Sequence, residues 1–141
     1  MELSMETRLR AAFQVANERQ AAGIDDFLRL YHDDVHFEDP LQRTHGKEAL
    51  AAALRSMYRK LGDIDFQMYT FSRAGDEVHF TWTMRFRPRF GPRLCVNAAS
   101  HLRLRDDLIL YHRDYWDLLS SMADASPLSA QLYRAISRRL A

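Results

Sequence analysis

From Val78 to Asp117, apolar and polar residues alternate in three successive runs, a period of two that points to pleated strands. Val78, Phe80, Trp82, Met84 and Phe86 alternate with His79, Thr81, Thr83, Arg85 and Arg87. Leu94, Val96, Ala98, Ser100, Leu102 and Leu104 alternate with Cys95, Asn97, Ala99, His101, Arg103 and Arg105. Asp106-Asp107 supplies a turn, after which Leu108, Leu110, His112, Asp114 and Trp116 alternate with Ile109, Tyr111, Arg113, Tyr115 and Asp117. A further strand is expected around Asp63–Ser72. These runs are long enough to form an antiparallel meander with one face buried.

Upstream the period is helical. Leu9, Ala12, Phe13 and Ala16 fall three to four apart between Met5 and Arg19, and Gly23 stops that helix. Ile24, Phe27, Leu28 and Tyr31 suit a second, short helix whose start carries Asp25 and Asp26. Val35, Phe37 and Asp39 then share one face of a strand that ends at Pro40, with His36 and Glu38 on the other. After a loop, Gly46 to Leu61 reads as a third helix with Leu50, Leu54, Met57, Tyr58 and Leu61 on its apolar side. A last helix is expected from about Pro127 to Leu140, where Leu128, Leu132, Ile136 and Leu140 recur every four residues. That stripe suits packing on the domain or on a partner subunit. Helices first and strands after make an α+β fold, with the helices on one face of a curved, mixed, mostly antiparallel sheet that encloses a pocket.

A chain of 141 residues fits one domain, and no repeat or linker divides it; the core is expected over about 6–123, with the last helix as an addition. The formal net charge of +1 gives no global field toward nucleic acid or a membrane. Of 20 basic residues only Lys47 and Lys60 are lysines. Cys95 is the sole cysteine, so no internal disulfide forms, and its outward position lacks an oriented base. Neither a cationic-then-apolar leader nor a membrane-length apolar run is present, and a cytoplasmic location is expected. His32 and His36 are four apart, but a helix end falls between them, so no metal site is expected.

Three stretches carry a family resemblance. Tyr31-His-Asp-Asp-Val-His-Phe-Glu-Asp-Pro40 resembles the helix-to-strand segment of ketosteroid isomerases and SnoaL-like polyketide cyclases, and Gly46-Lys-Glu-Ala-Leu50 the start of their following helix. Ile109-Leu-Tyr-His-Arg-Asp-Tyr-Trp-Asp117 is similar to the last strand of SnoaL-like proteins and limonene-epoxide hydrolases. The resemblance implies the cone-shaped, nuclear transport factor 2-like fold, which hosts isomerases, cyclases, hydrolases, dehydratases and binding modules. It also implies a homodimer through the convex sheet face, where Arg85, Arg87, Arg89, Arg93, Arg103 and Arg105 are expected beside Tyr69, Phe71, Tyr111 and Tyr115.

Asp39, Ser100, His112 and Asp114 break the apolar pattern of the inward face. A buried carboxylate without partners is costly, so each is either hydrogen-bonded structurally or faces a cavity. Asp39, just before Pro40, is either a turn carboxylate or a pocket base, and it matches the base position of ketosteroid isomerases. The positions that match that family's oxyanion donors are Val15 and Ser100, which argues against steroid isomerisation. Asp114 matches the carboxylate of limonene-epoxide hydrolases, yet Thr81-Trp-Thr-Met84 lacks their Arg-x-Asp pair. His112 and Asp114, two apart on one face, form either an acid–base unit or a buried polar network. Trp82 and Trp116 are core residues or ligand platforms; Phe37 and Met84 complete the expected apolar lining around Ser100.

The expected function is therefore a cofactor-independent isomerase, cyclase or dehydratase acting on a small apolar, carbonyl-bearing molecule. Asp39, His112 and Asp114 would do the proton transfer and Ser100 would orient the ligand. The competing readings are a binding module without chemistry and a dimer with a vestigial pocket. No cofactor and no nucleic-acid partner are expected.

Overall fold

A computed structural model describes residues 2–123 and 127–140. Helix α1 (Met5–Arg19) starts at Ser4, whose hydroxyl accepts from the Thr7 amide, and buries Met5, Leu9, Phe13 and Ala16. A 3-10 turn (Gln20–Gly23) leads into the short α2 (Ile24–Leu28). Then come β1 (Tyr31–Glu38), β2 (Arg43–His45), α3 (Lys47–Lys60) and four long strands. These are β3 (Leu61–Ala74), β4 (Glu77–Pro88), β5 (Leu94–Arg105) and β6 (Leu108–Trp116), followed by α4 (Leu118–Ala123) and α5 (Pro127–Leu140).

The six strands form one mixed sheet in the order β2-β1-β6-β5-β4-β3, antiparallel except for β1 beside β6. The sheet does not close on itself, and the α+β expectation holds. Asp106 and Asp107, with φ of 53° and 58°, make the two-residue turn between β5 and β6; both lie in the left-handed region that a hairpin turn of this hand requires and aspartate tolerates.

One side of the sheet carries the core. Val78, Phe80 and Trp82 of β4 and Leu102 and Leu104 of β5 pack against Leu9 and Phe13 of α1, with Leu50 and Ala51 of α3 in the same cluster. Phe13 is the hub, within ring contact of Phe27, Phe66, Phe80 and Trp82. Polar side chains of α1 also fasten it to β3. Asn17 exchanges two hydrogen bonds with the Phe66 backbone (2.8 and 2.7 Å), and Gln20 does the same with Ile64 (2.7 and 3.1 Å). Two side-chain amides thus stand in for the missing neighbour of an edge strand, satisfying backbone groups that would otherwise be open.

The departures from simple alternation are bulges. Leu104 pairs with Ile109 but Arg103 with Tyr111, so Leu110 is the extra residue and Ile109, not Leu110, takes the buried side. In β3 the register slips between Met68 and Phe71, which turns Phe71 inward against the core and leaves Tyr69 on the outer face. Tyr31, expected on the second helix, instead opens β1 opposite Ile109. The expected loop after Pro40 contains β2, a three-residue edge strand against β1. Helix α5 spans the expected residues, but Leu128, Leu132, Ile136 and Leu140 are 77, 63, 52 and 83% exposed, so nothing in the described chain covers the stripe. No helix among the described residues is long and apolar enough to cross a membrane.

Thr44 on β2 carries a buried hydroxyl with no hydrogen-bond partner among the described residues. An unsatisfied buried group costs free energy that an apolar isostere does not. Thr44→Val is therefore expected to raise stability by about 1 kcal/mol, read by chemical denaturation; a loss of stability would show that the hydroxyl is used.

Candidate functional site

The polar residues of the inward face are joined in a continuous chain of hydrogen bonds. Strand pairing places Ser100 opposite Asp114 and Leu102 opposite His112, while Phe37 of β1 lies beside His112 on the other flank. Trp82 Nε1 donates to Ser100 Oγ at 2.8 Å, and Ser100 Oγ donates to Asp114 Oδ1 at 2.5 Å. His112 Nε2 meets the same Oδ1 at 2.5 Å, and Tyr31 Oη lies 2.8 Å from His112 Nδ1. Tyr31 and Ser100 are 2% exposed and Trp82 and His112 7%, so the chain runs through the interior. The Asp114 side chain keeps 11% of its surface exposed.

The bonding capacities assign the protons. An indole N–H only donates, so Ser100 accepts it and must spend its own hydrogen on Asp114. Tyr31 is buried and His112 Nδ1 is its one hydrogen-bond partner among the described residues, so the phenol donates and Nδ1 accepts. The remaining imidazole hydrogen then sits on Nε2 and points at Asp114. In this assignment His112 is the neutral Nε2–H tautomer and, among the described residues, Asp114 is a carboxylate held by neutral donors. This assignment rests on bonding capacity.

Burial first, and then the negative charge of Asp114, pushes the Tyr31 phenol well above its ordinary value of 10.0 and keeps it a donor. An unfolded tyrosine loses its proton near that ordinary value while folded Tyr31 does not, so stability is expected to fall as pH rises past about 10. Before unfolding, Tyr31→Phe should show the same phenolate absorbance as the parent; a smaller amplitude in the variant would mean that Tyr31 ionises in the folded state.

Asp114 also lines a cleft of about 770 Å³ at the end of the sheet, together with Asp39, Trp116 and Asp117. Asp39 is part of that lining but outside the hydrogen-bonded chain. Its Oδ1 accepts from the Leu41 and Gln42 amides at 2.8 and 3.0 Å, and Oδ2 from the Gln42 side chain at 3.3 Å. Of the expected lining residues, Trp82 packs among Phe13 and Phe66, and Met84 fills space between the two core clusters. Phe37 sets its ring edge-on to His112 at 5.0 Å. The structure thus joins Ser100, His112, Asp114 and Trp82, sets Trp116 and Asp39 on the adjoining cleft, and adds Tyr31. No three His, Cys, Asp or Glu side chains converge as metal ligands among the described residues.

Comparison with known families matches residues 9–112 to the SnoaL-like domain. The chain belongs to the SnoaL-like domain family. Solved structures share the fold of this SnoaL-like domain at low identity. A Catenulispora acidiphila protein of ketosteroid-isomerase-like fold, in complex with trimethylamine, is 20% identical with a TM-score of 0.73, over 83% of this chain and 91% of that one. A putative SnoaL-like polyketide cyclase from Jannaschia is 17% identical, TM-score 0.72, over 90% and 98%. An LEH-like epoxide hydrolase from M. tuberculosis is 20% identical, TM-score 0.67, over 93% and 97%. A comparison with curated proteins finds no match.

Proposed function

We propose that this SnoaL-like domain is a cofactor-independent acid–base enzyme, an isomerase, cyclase or dehydratase, that works on a small carbonyl-bearing molecule in the cleft beside Asp114. One observation carries the reading: a nearly buried carboxylate, held among the described residues by donors on Oδ1, lines a cleft large enough for a small molecule. Such a carboxylate can take a proton, with His112 orienting it and buffering the change in charge. Tyr31 and Trp82 are positioning residues, acting through His112 and Ser100. Asp39, whose oxygens serve the turn at Leu41–Gln42, belongs to the rim and orients the ligand rather than taking the proton. The trimethylamine complex of the Catenulispora protein supports the reading that a small molecule binds within this fold.

The test starts with native mass spectrometry of the purified protein, to identify a retained molecule and the mass of the assembly. The retained compound and its close carbonyl analogues are then assayed for turnover. Asp114→Asn, which keeps the shape of the side chain, is expected to cut turnover about 10²–10⁴-fold while leaving the melting curve close to that of the parent. Recovery of the ligand unchanged, or equal turnover by the variant, would remove the catalytic reading. The same spectra test a homodimer. The outer face, with Tyr69 and Tyr115 exposed among arginines, is the surface we assign to it.

A further inference from the structure

We infer that the molecule the cleft takes carries a positive charge, as a small substituted ammonium ion set between Asp114 and Trp116; this rests on the cleft being the ligand site. The four protons of the buried chain all run toward Asp114, and none brings a positive charge with it. Among the described residues no arginine or lysine nitrogen lies within 4.0 Å of this carboxylate, and the His112 ring beside it carries no charge in the assignment above. An anion removed from water without a counter-charge is costly, and polar donors offset only part of that cost.

The rest of the lining does not supply the missing charge. Glu38, Asp39, Asp114 and Asp117 stand against Arg43 and Arg113, and both guanidiniums lie on Glu38, Arg43 at 3.0 Å and Arg113 at 4.0 Å. Arg113 also covers the Tyr115 ring at 4.7 Å. Asp117 is held by the Leu119 and Ser120 amides and the Tyr133 hydroxyl, and Asp39 by its own turn, so among the described residues these two carboxylates also have neutral partners. With four carboxylates against two guanidiniums, the lining carries an excess of negative charge, which concentrates the opposite sign.

Two features select an organic cation. Both bonds to Asp114 fall on Oδ1, so Oδ2 has no partner among the described residues and is open to a ligand that presents positive charge. Two residues along the same strand face, the half-buried indole of Trp116 lines the cleft, with no cation on its ring among the described residues. A cleft that presents a carboxylate oxygen and an indole in its lining suits a bulky, weakly hydrated ammonium group better than a neutral ligand, which would leave the nearly buried charge uncompensated.

The probes are choline, tetramethylammonium, and 3,3-dimethylbutan-1-ol, the neutral carbon isostere of choline. Binding to the full chain is followed by calorimetry and by the indole N–H signal of Trp116 in NMR. Choline is expected to bind about 10-fold tighter than the isostere, with the preference shrinking at high salt. Asp114→Asn, able to accept the same two bonds through its carbonyl, should bring the two affinities together. Equal binding in the parent, an undiminished preference in the variant, or failure of both cations to move the Trp116 signal would each overturn the inference. A cation that binds while retained ligand is recovered unchanged would leave the charge inference standing without catalysis. Turnover of a neutral carbonyl compound with no preference for cations would do the reverse.

Discussion

Replacing His112 with leucine is expected to lower the unfolding free energy by about 3–5 kcal/mol, measured by urea denaturation at neutral pH. Leucine fills much of the imidazole volume, so the loss comes from the groups left behind. The Tyr31 hydroxyl, 2% exposed, loses its acceptor, and Asp114 loses one of the two donors on Oδ1. An unpaired buried hydroxyl costs about 1–3 kcal/mol and a bond to a charged group contributes about 1.5–3 kcal/mol. Adding Tyr31→Phe to the leucine variant removes the stranded hydroxyl, so the double variant should recover about 1–3 kcal/mol. A single variant as stable as the parent would mean that the chain from Tyr31 to Asp114 is not formed in solution.

Truncating Phe13 to alanine is expected to cost about 3–5 kcal/mol, with the mildest loss if α1 can settle toward the sheet. Phe13 is 7% exposed and touches four rings: Phe66 at 5.3 Å, Phe27 at 5.9 Å, Phe80 at 6.0 Å and Trp82 at 6.3 Å. Asn17 and Gln20 hold the same helix to β3 through backbone bonds at Phe66 and Ile64, which limits that settling. The cavity also sits behind Trp82, whose indole supports Ser100. Chemical denaturation with tryptophan fluorescence reads both effects at once. A loss below about 1 kcal/mol would mean that the helix repacks freely over the sheet.

The strands were legible because alternation over nine to twelve residues leaves few choices of face. The same rule misplaced Leu110 and Phe71, since a one-residue bulge puts the residues on its two sides out of phase and leaves no mark in the apolar pattern. Strand β2 is three residues long and polar, too short for any period to show. Tyr31 read as the last apolar residue of a helix, and its bond to His112 spans 81 residues of sequence, a pairing that only the parallel register of β1 and β6 creates. His112, Asp114 and Ser100 stood out because polar side chains interrupt an apolar face. Trp82 carried no such signal, for an indole looks equally at home in a core. Asp39 showed a carboxylate at a strand end, but its hydrogen bonds to Leu41 and Gln42 depend on the conformation of the turn.

The central claim is that Asp114 is a nearly buried anion held, among the described residues, by neutral donors, with His112 as the uncharged link to Tyr31. Long-range nitrogen–proton NMR of the imidazoles, with His112 assigned by comparison with the leucine variant, reads this directly. At neutral pH the account predicts a neutral ring protonated on Nε2, with Nδ1 showing the shift of a hydrogen-bonded acceptor. An imidazolium, or a ring protonated on Nδ1, would contradict it, because either would reverse the Tyr31 bond.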